Sequence, residues 1–147
     1  MVIIFVCHGN ICRSPMAEFV MKKLLAEHGI TDVSVISRAL HTDAIGCNIY
    51  SPARRVMDAH GVPYERRQAK LLTREEHDAA DMIVVMDSEN YRDAVRRFGG
   101  GKVSRLLSHA GSGADVADPW YTDDYERAYL DIERGCRGLL GELARRS

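Results

Sequence analysis

The run Val2-Ile3-Ile4-Phe5-Val6 constrains this chain most, because it is continuously apolar and rich in β-branched residues. Such a run fits a strand buried on both faces, as in a parallel sheet. It leads without a break into Cys7-His8-Gly9-Asn10-Ile11-Cys12-Arg13, and then into Ser14-Pro15. Ser-Pro reads as an N-cap followed by a proline at the first helical position. Ala17, Val20, Met21, Leu24 and Leu25 follow at helical spacing, and Gly29 supplies the stop. The opening is therefore strand, tight loop, amphipathic helix.

The pattern recurs. Residues 32–37 predict a second strand, and Ser51-Pro52 opens a helix that Gly61 closes. Thr73-Arg74-Glu75-Glu76 is a capping box. Residues 82–86 are another continuous apolar strand, and Asp87-Ser88 caps a helix that runs to about Phe98. Residues 103–107 predict a fourth strand, and Tyr125 through Leu143 carry the apolar stripe of a last helix, with Asp123 or Asp124 as its cap. Strands alternating with helices imply an α/β fold, with a four-stranded parallel sheet and helices on both faces. In such sheets ligands bind beyond the carboxyl ends of the strands, so the site is expected to begin at Cys7. No linker divides the 147 residues, and a single domain over 1–147 is expected.

The bulk properties exclude more than they propose. Twenty basic residues nearly balance 21 acidic ones, so nothing favours a nucleic-acid or membrane partner. No apolar run approaches the roughly 20 residues of a membrane helix. The first residues lack a basic segment and a small-residue cleavage site, so a cytoplasmic setting is expected. Four scattered cysteines suit neither a disulfide scaffold nor a zinc site, and no metal or cofactor is expected. Cys47 and Cys136 read as structural, His28, His60, His77 and His109 as surface, and Arg66-Arg67 as solvated.

The loop after the first strand carries the chemistry. A curled segment at a helix N-terminus forms a nest of N–H donors for a dianionic phosphate, to which residues 8–13 all contribute. Gly9 permits backbone angles closed to other residues, and Asn10 tolerates the left-handed region. Arg13 can close the ring and bind two phosphate oxygens in a fork. The N–H dipoles, Arg13 and the helix dipole favour a thiolate at Cys7, and Ser14 can donate a hydrogen bond to it. A thiolate against a phosphate cradle is a nucleophile for phosphorus. The leaving oxygen needs a proton, and Asp118, in Ala117-Asp118-Pro119-Trp120-Tyr121, is the best donor. Trp120 and Tyr121 would wall and partly desolvate it. Asp115, Asp123 and Asp124 are its rivals. Cys12 packs beneath the loop as a small apolar residue, or traps an oxidised Cys7 as a disulfide. His8 and His41 are further candidates for substrate contact.

Residues 6–15, Val6-Cys7-His8-Gly9-Asn10-Ile11-Cys12-Arg13-Ser14-Pro15, resemble the signature of the low-molecular-weight protein tyrosine phosphatases. Asp118-Pro119-Trp120-Tyr121 resembles that family's general-acid loop, and the stretch from Leu72-Thr73 to Met86-Asp87 matches its pattern. The resemblance implies Cys7 as nucleophile, Arg13 as phosphate and transition-state ligand, and Asp118 as acid and then base. It implies Asn10 and Ser14 as organisers of the loop, tyrosine-phosphorylated protein or peptide as substrate, inorganic phosphate as product, and a monomer. Two positions depart from the family. No aromatic stands near Asp43, where members carry a cleft wall, and Arg67 replaces a histidine that many members carry. Three alternatives remain: a phosphoarginine phosphatase, whose members carry Thr at the position of Ile11, an arsenate reductase, and a non-catalytic phosphate-binding module. Arsenate reduction lacks a close pair of further cysteines, and the binding module is disfavoured because Arg13 and Asp118 are both present.

Overall fold

A computed structural model describes residues 1–146. The strands are β1 (Val2–Cys7), β2 (Ser34–Ala39), β3 (Met82–Val85) and β4 (Val103–Arg105), all parallel, in the order β2-β1-β3-β4. β1 is central, with Cys7 beside Ala39 of β2 and Val6 beside Val85 of β3. The helices are α1 (Arg13–Glu27), α2 (Ser51–Ala59), α3 (Arg74–Ala79), α4 (Ser88–Phe98), α5 (Pro119–Thr122) and α6 (Tyr125–Arg145). No helix among the described residues is long and apolar enough to cross a membrane.

The strand alternation assigns each β1 residue to one of two cores. Ile3, Phe5 and Cys7 pack with α1, α2 and α6 on one face. Ile4 and Val6 pack with Ile83, Val85 and Ala94 of α4 on the other. Burial on both faces is the reason the run reads as continuously apolar rather than alternating, and each such side chain contributes about 1.5–3 kcal/mol.

The chain connects first to β2 on one side of β1 and later to β3 on the other. A crevice forms where the connections diverge, at the carboxyl end of β1. Cys7 ends β1, His41 follows β2 and Asp87 follows β3, so three separate segments meet there.

Several boundaries differ from expectation. α1 begins at Arg13 with Cys12 as its cap and no side-chain capping bond, so Pro15 is the third helical residue. The hydroxyl of Ser14 is instead engaged with Cys7 and Asn10. β2 is shifted two residues later than expected. Leu106 and Leu107 leave the fourth strand for a 3-10 turn, Leu106–Ala110. The first two turns of α1 are buried nearly all round, because Met16 and Phe19 pack as deeply as the expected stripe. His77 is buried and stacks on Phe98 at 5.0 Å, while His109 bonds Ser104 and Glu142. Cys47 is exposed, whereas Cys136 is fully buried.

Candidate active site

The loop between β1 and α1 turns its carbonyls outward. The oxygens of Cys7, His8, Ile11 and Cys12 accept N–H bonds from Leu40, His41, Tyr50 and Met16. These are the groups that would repel an anion, and all four are held by surrounding backbone. The left-handed residue of the loop is Asn10, with φ 60°, whereas Gly9 has no positive φ. Gly9 lines the cleft, and a Cβ there would meet Ala44 and Ile11 at ordinary contact distance.

Asn10 is fully buried and sets the polarity of the loop. Its Nδ2 donates to Ser14 Oγ at 2.7 Å and to Ser37 Oγ at 3.0 Å, while its Oδ1 accepts the Lys70 N–H at 3.2 Å. Ser14 Oγ lies 3.0 Å from Cys7 Sγ, which also accepts the Asn10 backbone N–H at 3.3 Å. Because Ser14 already accepts from Asn10, its own hydrogen is free for the sulfur when Cys7 is ionised. Ser37 in turn donates to Glu18 Oε1 at 2.6 Å.

Arg13 is almost fully enclosed, its side chain 3% exposed. Nη1 donates to Asp87 Oδ2 at 2.7 Å and to the Val116 carbonyl at 2.8 Å. Nη2 lies 3.4 Å from Asp118 Oδ2. Burial opposes its charge, but Cys7, Asp118 and Asp87 together hold it still more firmly protonated than usual. Asp87 was legible in the sequence only as a helix cap. It does both jobs, since Oδ1 accepts the Asn90 N–H at 2.7 Å while Oδ2 orients Arg13.

Asp118 reaches the cleft because its segment is tied down on both sides. The Val116 N–H bonds the Met86 carbonyl at the end of β3, and Asp118 Oδ1 accepts the Trp120 N–H as the cap of α5. Its side chain is 26% exposed. Trp120 and Tyr121 line the same cleft but stand 60% and 85% exposed, so they flank the mouth more than they desolvate the acid. Trp120 packs against Tyr50 at 5.4 Å, an aromatic partner that sequence spacing did not single out. Of the rival acids, Asp115 pairs with Arg105 and Ser88, Asp123 occupies a left-handed turn, and Asp124 caps α6.

His8 lines the cleft with Nε2 2.6 Å from Asp43 Oδ2, a contact that holds the Asp43 carboxyl below its usual range. His41 stands one layer back, stacked on His8 at 4.2 Å and bonded to Asp93 at 2.9 Å. Cys12 is buried beneath the loop, and burial above all, then Cys7, pushes its thiol up to about 12. Among the described residues no group of three or more His, Cys, Asp or Glu side chains could hold a metal ion. The cleft has a volume of about 680 Å³, with Cys7 and Arg13 at its base and Ile11, Asp118, Trp120 and Tyr121 among its walls.

Residues 2–147 match the family model described as low molecular weight phosphotyrosine protein phosphatase. The chain belongs to that family. The low molecular weight protein-tyrosine-phosphatase PtpA of Staphylococcus epidermidis is 32% identical, over 96% of this chain and 92% of its own length. YfkJ from Bacillus subtilis superposes with a TM-score of 0.95 at 29% identity, over 100% of this chain and 96% of that one. YwlE arginine phosphatase, solved as a cysteine-to-serine mutant with a phosphorylated active-site serine, gives 0.89 at 29% identity, over 98% and 96% of the two chains.

Proposed function

We propose that this phosphatase hydrolyses phosphotyrosine and related aryl phosphates through a phosphate ester of Cys7. The observation that carries the reading is the convergence of three groups in one cleft. Cys7 Sγ is held by Ser14 and the Asn10 N–H, Arg13 sits beside it, and Asp118 lies 3.4 Å from Arg13.

The thiolate attacks phosphorus, forming an S–P bond as the P–O bond to the aryl group breaks. Asp118 gives its proton to the departing oxygen. The N–H groups of residues 8–13 and the Arg13 fork hold the equatorial oxygens as charge spreads over them. Asp118, now ionised, takes a proton from water that attacks the phosphocysteine, which releases inorganic phosphate and restores the thiolate.

Phosphotyrosine is favoured because a sulfur at the base of a cleft is reached by a long aryl ester, and Trp120 at the mouth can stack on the ring. Ile11 supports it over phosphoarginine, since its side chain carries no hydroxyl to position water. The likeness to YwlE keeps phosphoarginine as the second reading. When a peroxide oxidises the Cys7 thiolate to a sulfenic acid, Cys12 condenses with it to give a disulfide and water, which shields Cys7 from irreversible oxidation. The enzyme works as a cytoplasmic monomer, a single domain over 1–147, on tyrosine-phosphorylated proteins or peptides, with no metal or cofactor.

The test compares turnover of phosphotyrosine and phosphoarginine peptides by wild type and Asp118→Asn. Faster phosphotyrosine hydrolysis is expected, with kcat on it lowered by about 10²–10⁴-fold in the variant. Faster phosphoarginine release would overturn the substrate assignment, and an unchanged kcat would move the acid elsewhere.

A further inference from the structure

Arg67 lies between α2 and α3 and does not line the cleft that holds Cys7. Its backbone N–H donates to Asn48 Oδ1 at 3.1 Å, and its Nη2 donates to Ser37 Oγ at 3.3 Å. Nη1 is buried without a hydrogen-bond partner. Burial weighs most on this guanidinium and opposes its charge, while Glu18 and Cys7 favour it. Arginine nevertheless stays protonated in proteins, so a fixed cation stands behind the loop.

The hydrogen bonds give this charge a route. A hydroxyl has one hydrogen and two lone pairs. Ser37 accepts from Asn10 and from Arg67, and its hydrogen goes to Glu18. Arg67 thus completes Ser37, Ser37 fixes one Asn10 donor, and the other Asn10 donor fixes Ser14 as acceptor. Ser14 is left with its hydrogen for Cys7. The charged groups facing Arg67 are Glu18 of α1, itself paired with Lys22, and Arg38 of β2, paired with Glu76. Glu65 and Lys70 line the same crevice, and no histidine does.

We propose that Arg67 is a positioning residue for the thiolate, a permanent cation that acts through Ser37 and Asn10 to aim the Ser14 hydroxyl at Cys7. The proposal rests on the reading of Cys7 as nucleophile. Its consequence is a cation behind the loop that keeps its charge over the working pH range.

The experiment measures two quantities across pH for wild type, Arg67→Lys, Arg67→Met and Arg67→His. One is the alkylation of Cys7 by iodoacetate, followed by mass spectrometry at that residue because Cys47 is also exposed. The other is kcat and KM on an aryl phosphate. In Arg67→Met the alkylation midpoint should rise by about one pH unit, and kcat should fall about tenfold with KM within about twofold. Arg67→Lys should keep the wild-type midpoint. Arg67→His should gain a new ionisation between about pH 5 and 8, with reactivity lost as the imidazole deprotonates. A wild-type midpoint and profile in Arg67→Met would overturn the proposal, as would a His variant with no new ionisation. If Arg67→Met does not fold, the His variant decides. If wild type alkylates at Cys7 but turns over no aryl phosphate, the functional reading fails while the midpoints still judge Arg67.

Discussion

Asp87 shows how one carboxylate serves two structures at once. Its Oδ1 caps α4 and its Oδ2 holds Arg13. Asparagine caps a helix about as well as aspartate, so Asp87→Asn separates the two roles. The variant should lose less than about 1 kcal/mol of stability in a urea titration, while kcat/KM on an aryl phosphate falls by about 10-fold or more from a less fixed Arg13. An unchanged kcat/KM would show that the grip of Asp87 on Arg13 has no part in turnover. At this scale the sequence was legible where one residue type has few uses. Cys7, Arg13 and Asp118 were named from their chemistry, and they converge. Arg67 read as solvated and His77 as surface, because a polar residue among polar neighbours gives no sign of the tertiary contact that buries it. Gly9 and Asn10 exchanged parts for a related reason. Either can take the left-handed turn, and only the bonds of Asn10 to Ser14, Ser37 and Lys70 assign it.

The elements were legible where a local bond fixes them. The capping box on α3 is complete, with Thr73 Oγ1 accepting the Glu76 N–H at 3.1 Å and Glu76 Oε1 accepting the Thr73 N–H at 3.1 Å. Glu76 also pairs with Arg38 of β2 at 2.8 Å, which ties the helix to the sheet. Burial raises its carboxyl, but Arg38 and Thr73 outweigh that and leave it below its ordinary value of 4.5. A carboxylate depressed in the folded state stabilises at pH above its unfolded value, and that contribution is lost as pH falls through the folded one. Glu76→Gln should therefore cost up to about 1 kcal/mol near neutrality. The difference from wild type should shrink as pH is lowered below 4.5, read from urea midpoints at each pH. A difference that does not change with pH would mean that the charge has no part in it. The start of α1 was misplaced because Ser-Pro is a strong local cap signal. Ser14 instead bonds within the loop, so the cap is the backbone at Cys12. The last strand was cut short where Leu106 turns out of line to pack under α6.

The whole molecule brings Cys7, from the end of the first strand, against Asp118, from just before the last helices, because β1 is central and β3 is beside it. Apolar strands separated by capped helices implied the parallel sheet, and the sheet implied the place of the site. The close approach of α6 to the 3-10 turn was not legible, since a glycine in a helical stripe does not say what it meets. A Cβ at Gly138 would lie 2.2 Å from the His109 carbonyl oxygen, and backbone cannot swing aside. Gly138→Ala should therefore destabilise by about 1–3 kcal/mol despite a gain in helix propensity of about 1 kcal/mol. That is a fall in melting temperature of about 2–4 °C per kcal/mol, with activity per folded molecule unchanged, and a raised melting temperature would contradict the packing. The proposed reaction passes phosphate through Cys7. The most direct measurement is rapid quenching of wild type with an aryl phosphate, followed by mass spectrometry for phosphocysteine. Phosphocysteine is expected at Cys7 alone, formed in a burst and absent from Cys7→Ser. Hydrolysis at an undiminished rate in Cys7→Ser, or turnover in which no phosphate is ever found on Cys7, would contradict it.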